Sequence, residues 1–159
     1  NENKRGREDR GWGQGVLKVL VFMPVLGALA VAGLPVRRAV WLWRLAMLFA
    51  LAALGYSFWL AAGFDPAGPA IQFHESRPWN VRLGSYFALG IDGIALAMVL
   101  LTALLTLIAV LVSRRMEDGA RLYFTLVLLL ESAMFGVFTA RDWSLFYVFW
   151  EATLLPLLA

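Results

Sequence analysis

Two glutamates within apolar runs, Glu131 and Glu151, are the residues of this chain best suited to carry chemistry. Each lies ten residues from Arg141, one before it and one after it in the sequence. If the flanking runs are helices joined by a short turn at Arg141, both carboxyls lie roughly 15 Å from that turn. Two acids at the same depth on adjacent helices form a layout that favours proton relay.

The composition indicates that these helices lie in a membrane. Of 159 residues, 61% are hydrophobic and 16% are charged, whereas a soluble domain has about 45–50% apolar and about 25% charged residues. A charge at the centre of a bilayer costs about 2.5–3.5 kcal/mol, so Glu131 and Glu151 each need an explanation. The alternative to proton relay is that each acid only hydrogen-bonds a neighbouring helix, with Thr125 and Ser132 as partners for Glu131.

The apolar runs predict an all-α polytopic membrane protein with about five transmembrane helices, since each crossing needs roughly 20 apolar residues. Residues 1–15 form a polar basic tail that is interpreted as non-native, and residues 64–90 form an extramembrane loop. Short β-like pieces around Ile71–His74 and Val81–Tyr86 indicate a small hairpin in this loop. The predicted helices span about 16–35, 39–63, 91–113, 122–140 and 144–159, within one transmembrane domain at 16–159.

Four further residues lie at the predicted spans. Lys18 and Arg44 are near helix ends and can extend to the interface. Asp92 stands where the third helix begins, and the helix dipole favours a carboxylate there, so we predict a structural cap. Pro156 has no backbone N–H, so the carbonyl of Ala152, one residue from Glu151, loses its helical hydrogen bond. We expect this to kink the helix and to admit water.

The loop charges predict the orientation of the chain. Cytoplasmic loops carry an excess of basic residues, and the first and third loops are richer in arginine than the second and fourth. This places the amino terminus outside, although the basic residues of the tail argue the other way. The arginines of the first and third loops are Arg37, Arg38, Arg114, Arg115 and Arg121, and those of the other two are Arg77, Arg82 and Arg141.

Several kinds of site are excluded or disfavoured by residue type. The chain has no cysteine, which removes thiol catalysis and cysteine-ligated metal or iron–sulfur centres. Its single histidine, His74, stands beside Glu75, and one histidine with one carboxylate makes a poor metal site. The chain carries no glycine-rich phosphate motif after a strand. We therefore predict no catalytic, cofactor-binding or metal-binding residue in this chain, and no nucleic-acid partner.

Several stretches resemble the chain M (chain 4) family of proton-pumping NADH:quinone oxidoreductase, respiratory complex I. Leu89–Leu96 (LGIDGIAL) and Leu100–Thr106 (LLTALLT) resemble the start of that family's third helix. Leu128–Glu131 (LLLE) and Leu145–Glu151 (LFYVFWE) resemble its fourth and fifth helices, in the same order and at the expected separation.

The resemblance implies a role in proton translocation within a larger antiporter-like helical bundle. Glu151 matches the family's fifth-helix glutamate, which pairs with a lysine on a broken seventh helix, and Glu131 matches an acid common on the fourth. Asp92 matches a motif residue without a firm chemical role. NADH, FMN, iron–sulfur clusters and quinone are then expected on partner subunits of the membrane and peripheral arms. The partners in the membrane arm are other antiporter-like subunits and small helical subunits.

The family's chain has about fourteen helices, so the resemblance implies an amino-terminal fragment of a longer subunit. The expected location is a bacterial plasma membrane. Two alternatives remain open. The same fold serves as the large subunit of a multisubunit sodium/proton antiporter or in a membrane-bound hydrogenase, and the chain could instead be an inert membrane anchor or a truncated stub.

Overall fold

The computed structural model describes residues 15–35, 38–80 and 84–158. The basic tail at 1–14, Arg37, Val81 and Arg82 lie outside the described residues. The described chain forms five α-helices and one two-stranded hairpin. The helices are α1 (Val16–Gly33), α2 (Ala39–Gly63), α3 (Gly93–Val112), α4 (Ala120–Thr139) and α5 (Trp143–Leu158), and the strands are β1 (Gln72–Asn80) and β2 (Ser85–Ile91).

The helical architecture predicted from the sequence is confirmed. Helices α1 to α4 are long and apolar enough to cross a bilayer, with mean hydropathies between 1.8 and 2.9. Many of their large side chains point outward, such as Leu26, Leu48 and Leu105, each more than half exposed. A surface of this kind is stable against lipid and not against water. The chain is an integral membrane protein.

Local chemistry accounts for the helix ends that differ from the predicted ones. Helix α1 stops at Gly33 because Pro35 disfavours helical backbone at the preceding residue, and Leu34 is extended. Helix α3 begins at Gly93, since Ile91 belongs to β2. Helix α4 begins at Ala120, after Gly119 turns the chain with a φ of 68°.

The helices enclose two apolar cores stacked along the long axis of the bundle. The hairpin-side core lies at the end of the bundle that carries the hairpin and includes Leu20, Val21 and Phe135. The loop-side core lies at the opposite end and includes Phe124 and Leu128. Helices α1 to α4 contribute to both cores, and α4 packs against each of the other four helices and so runs through the centre of the bundle.

The hairpin is bound to the helices at several points. Its strands are antiparallel, with Arg77 opposite Phe87, and β2 also pairs with the α4–α5 turn through the backbone N–H of Arg141, which donates to Ala88 O at 2.8 Å. Asp142 caps α5 by accepting from the N–H of Ser144 at 2.9 Å, and its other oxygen accepts from a backbone N–H of β2 at 3.3 Å. The hairpin thus forms a lid fixed to one end of the bundle.

Candidate functional site

Glu131 lies inside the bundle on α4, with only 1% of its surface exposed. It shares a helix face with Leu128 and Phe135, so its carboxyl lies between the loop-side and hairpin-side cores. Neither carboxyl oxygen has a hydrogen-bond partner among the described residues. The carboxyl of Glu131 is therefore surrounded by apolar side chains and makes no hydrogen bond with the described residues.

The two hydroxyls that the sequence offers as partners of Glu131 do not bind it. Ser132 donates instead to the backbone carbonyl of Val21 on α1 at 2.6 Å. The hydroxyl of Thr125 is buried and has no partner in the described chain. Ser132 is one residue from Glu131 and therefore points about 100° away around the helix, towards α1. Ser132 thus makes the hydrogen bond between α4 and α1, and Glu131 takes no part in it.

Glu151 has the opposite environment. It lies on α5 with an exposed side chain, and Tyr147 lies one turn earlier on the same helix. Pro156 lies one turn beyond it inside the same helix. The structure therefore places Glu131 and Glu151 on adjacent packed helices but does not join their carboxyls, because one faces the bundle interior and the other faces outward.

Asp92 caps α3 on the hairpin side. Its Oδ1 accepts from the N–H of Ala95 at 2.7 Å, and its Oδ2 lies 2.8 Å from the guanidinium of Arg141. The Ala95 N–H and, next, Arg141 lower the pKa of Asp92 below its ordinary value. Asp92 is therefore ionised at neutral pH, and its stabilising contribution is lost only as the pH falls through this lowered pKa.

A functional contact that sequence reasoning missed joins Glu75 of β1 to the start of α1. Its Oε1 accepts from the backbone N–H groups of Gly15 at 2.7 Å and Leu17 at 3.3 Å, and its Oε2 lies 2.9 Å from Lys18 Nζ. Lys18, which the sequence predicts to extend to the interface, pairs with Glu75 of the extramembrane hairpin. The signal for this contact is the start of α1, because Gly15 before it has no side chain to cap the helix and its first turn contains no acid.

Replacing Glu75 by alanine is expected to loosen the hairpin from α1. The change removes a helix cap worth about 1 kcal/mol and a partly exposed ion pair worth about 0–1 kcal/mol. Hydrogen exchange of the Gly15 and Leu17 amides should accelerate, with a smaller effect for Glu75→Gln, which keeps an acceptor oxygen. Glu117→Ala, at an exposed loop position, is the control, and unchanged exchange at Gly15 and Leu17 would contradict the cap.

The part of the chain that the structure describes contains no group of three or more histidine, cysteine, aspartate or glutamate side chains that could hold a metal ion. His74 is exposed on β1.

Three relatives of this chain are named as subunits or chains of quinone oxidoreductases or of a dehydrogenase, and no protein-family model matches the chain. The chain is 36% identical over 151 residues to NADH-quinone oxidoreductase subunit M of Rhodobacter capsulatus. It is 35% identical over 141 residues to NAD(P)H-quinone oxidoreductase chain 4 1 of a Synechococcus strain. It is 37% identical over 111 residues to F(420)H(2) dehydrogenase subunit M of Methanosarcina mazei.

The fold of this chain is also similar to that of a chain in a solved structure. Respiratory complex I from Thermus thermophilus with bound NADH contains a chain that superimposes with a TM-score of 0.71 at 34% identity, over 89% of this chain. The chain is a partial homologue of subunit M. The resemblance identified from the sequence motifs is therefore confirmed.

The match to subunit M covers most of this chain and a minor part of each relative. The three alignments cover 91%, 88% and 69% of this chain. They cover 28%, 26% and 22% of the respective relatives, and 27% of the Thermus chain. The chain thus spans about a quarter of the length of the subunit M relatives that it matches.

Proposed function

We propose that this chain is part of the membrane arm of an NADH:quinone oxidoreductase and takes part in its proton translocation. Electron transfer from NADH to quinone takes place on other subunits, and this chain converts the resulting conformational or electrostatic change into proton uptake and release. The similarity to subunit M over most of the chain supports the proposal, and so does the likeness to a chain of Thermus respiratory complex I.

The observation that carries the proposal is the buried, unpartnered carboxyl of Glu131. A buried polar group without a hydrogen bond costs about 1–3 kcal/mol, which a purely structural residue would avoid. An amide or an apolar side chain would pack α4 at lower cost. A carboxyl in this place can take up and release a proton where water is excluded, which is the chemistry that a proton-translocating subunit needs.

Glu151 is the second participant, and its exposed carboxylate faces away from the five helices. We propose that it pairs with a cation outside these helices, which the resemblance to chain M implies to be a lysine. Two unit charges 4 Å apart interact with about 4 kcal/mol at an effective dielectric constant of 20. Separating such a pair changes the proton affinity of the lysine about a thousandfold, which is enough to drive proton release.

The redox cofactors and partner proteins follow from the same proposal. NADH, FMN, iron–sulfur clusters and quinone bind to other subunits, and the membrane partners are further antiporter-like subunits and small helical subunits. The host membrane is a bacterial plasma membrane. The relative from Methanosarcina mazei is named as a subunit of an F(420)H(2) dehydrogenase, and so the electron donor is set by subunits other than this one.

Replacing Glu131 by glutamine tests the proposal, because it keeps the shape of the side chain and removes the titratable proton. In the native complex, reconstituted in vesicles, we expect the number of protons moved per NADH oxidised to fall at least by half. The measurement is quenching of a pH-sensitive dye alongside NADH absorbance. Asp118→Asn, in an exposed loop, should leave the ratio unchanged.

The same vesicles distinguish the alternatives. Proton movement that needs only a sodium gradient and no NADH would indicate an antiporter. A normal proton-to-NADH ratio in both Glu131→Gln and Glu151→Gln would contradict the proposal and indicate a structural anchor.

A further inference from the structure

A cavity of about 360 Å³, lined in part by arginines, lies at the end of the bundle opposite the hairpin. It forms where the start of α2 meets the short 3₁₀ turn Ser113–Arg115 that follows α3. Arginines from both segments line it, Arg38 from the first and Arg114 and Arg115 from the second. The cavity therefore brings together basic residues that are more than seventy positions apart in the sequence.

The cavity carries an excess of positive charge. Its three arginines are accompanied by a single acid, Glu117, which leaves a net charge of two. Among the described residues the ion pairs are Lys18–Glu75 and Arg141–Asp92, both on the hairpin side, and Glu117 pairs with none of the arginines. Like charges held around one cavity repel one another, so the site favours an anion.

One of these guanidiniums is held in place by an aromatic ring. The central carbon of Arg114 lies 5.6 Å from the ring centre of Trp43, a cation–π distance. Trp43 is itself fixed, because its Nε1–H donates to the carbonyl of Val110 on α3 at 2.9 Å. The contact with Trp43 of α2, which is itself bound to α3, thus holds the Arg114 guanidinium in place before a ligand binds.

An apolar groove of about 330 Å³ lies beside the cavity along α2. Val40 lines the cavity and Arg44 lines the groove, and residues four apart are neighbours on a helix surface. A free phosphate would fill only the cavity, whereas a ligand with an anionic head and a hydrocarbon tail would fill both. The groove is lined by Leu34, Trp41, Leu42, Arg44, Leu45 and Leu48.

We propose that Arg38, Arg114 and Arg115 bind the phosphate of an anionic phospholipid, with one acyl chain in the groove along α2. The guanidinium fork matches phosphate oxygens in charge and geometry. The ends of α2 and α3 lie at the membrane surface, which is the depth of lipid headgroups. A loop arginine that only sets orientation needs no cavity, whereas these three share one that adjoins an apolar groove.

Lipid exchange on the purified native complex tests the proposal. The complex is stripped of loosely bound lipid and equilibrated with equal amounts of phosphatidylglycerol and phosphatidylcholine of the same acyl chains. Retained lipid is then counted by native mass spectrometry. Wild type should retain one more phosphatidylglycerol than the triple variant Arg38→Gln, Arg114→Gln, Arg115→Gln. Arg77→Gln, at an exposed arginine of the hairpin, should match wild type.

Single variants keep the test decisive if the triple variant does not assemble. Arg114→Gln and Arg115→Gln should each weaken phosphatidylglycerol retention about fivefold, the contribution of one basic residue near a membrane surface. Equal retention in wild type and in the cavity variants would overturn the proposal. Displacement of the bound molecule by millimolar inorganic phosphate would also overturn it, and would indicate a site for free anions.

Discussion

Glu151→Gln is expected to abolish NADH-driven proton pumping in vesicles that contain the native complex, and to slow NADH oxidation severalfold. Glutamine keeps the size and hydrogen-bonding capacity of the side chain but carries no charge, so a cationic partner would no longer be held. The exposed position of Glu151 means that its loss leaves the core of this chain intact. Pumping is followed with a pH-sensitive dye, and assembly is followed by the yield of intact complex on a sizing column.

The variant Glu151→Asp distinguishes the effect of the negative charge from the effect of side-chain length. Glu151→Asp keeps the negative charge on a side chain shorter by one methylene, and it should retain a measurable part of the pumping. Tyr147→Phe removes a hydroxyl one turn from Glu151 on α5 and should have a smaller effect than either. Coupled pumping at the normal ratio by Glu151→Gln would rule out the proposed role of this residue.

Gly136→Ala is expected to disrupt the contact between α4 and α5. A Cβ added at Gly136 would overlap the ring of Phe149, so the two helices must move apart or the ring must leave its position. Overpacking of this kind costs typically 1–3 kcal/mol. The variant should lower the thermal stability of the complex and reduce pumping, since Glu131 and Glu151 lie on these two helices.

Two further variants make this prediction specific. Gly55→Ala introduces the same methyl group on α2 where no other atom lies within 4 Å, and it should be neutral or slightly stabilising because alanine favours helix. Phe149→Leu combined with Gly136→Ala replaces the ring by a smaller side chain and should recover part of the lost stability. Equal thermal stability of Gly136→Ala and wild type would show that α5 packs differently on α4.

The helices could be predicted from the sequence because each is an almost unbroken apolar run. Periodicity is not needed to recognise a run such as Gly93–Val112, and the ends follow from single residues such as Pro35 and Gly119. The positions of Glu131 and Glu151 on either side of a helix turn could be predicted for the same reason, and the structure has this turn between Thr139 and Trp143. Their equal depth, which follows from the count of residues from Arg141, stays a prediction.

The direction in which each side chain points could not be predicted in this way. A transmembrane helix is apolar on its lipid face and on its packed face, so the sequence of α4 does not show that Glu131 faces the interior and that Ser132 binds α1. The contact between Lys18 and Glu75 joins residues 57 positions apart and depends on how the hairpin folds over the bundle. The pairing of β1 with β2 in the hairpin contains two register irregularities, which sequence patterns do not specify.

The attachment of the hairpin has a mechanical consequence. It holds the starts of α1 through Glu75, of α3 through Asp92 at the end of β2, and of α5 through Asp142. A helix anchored at one end moves as a lever, with little displacement at the pivot and the most at its free end. Over the 18 residues of α1, about 27 Å, a tilt of roughly 5° displaces the far end by about 2 Å. A tilt of these helices therefore displaces their ends near the arginine cavity more than their ends at the hairpin.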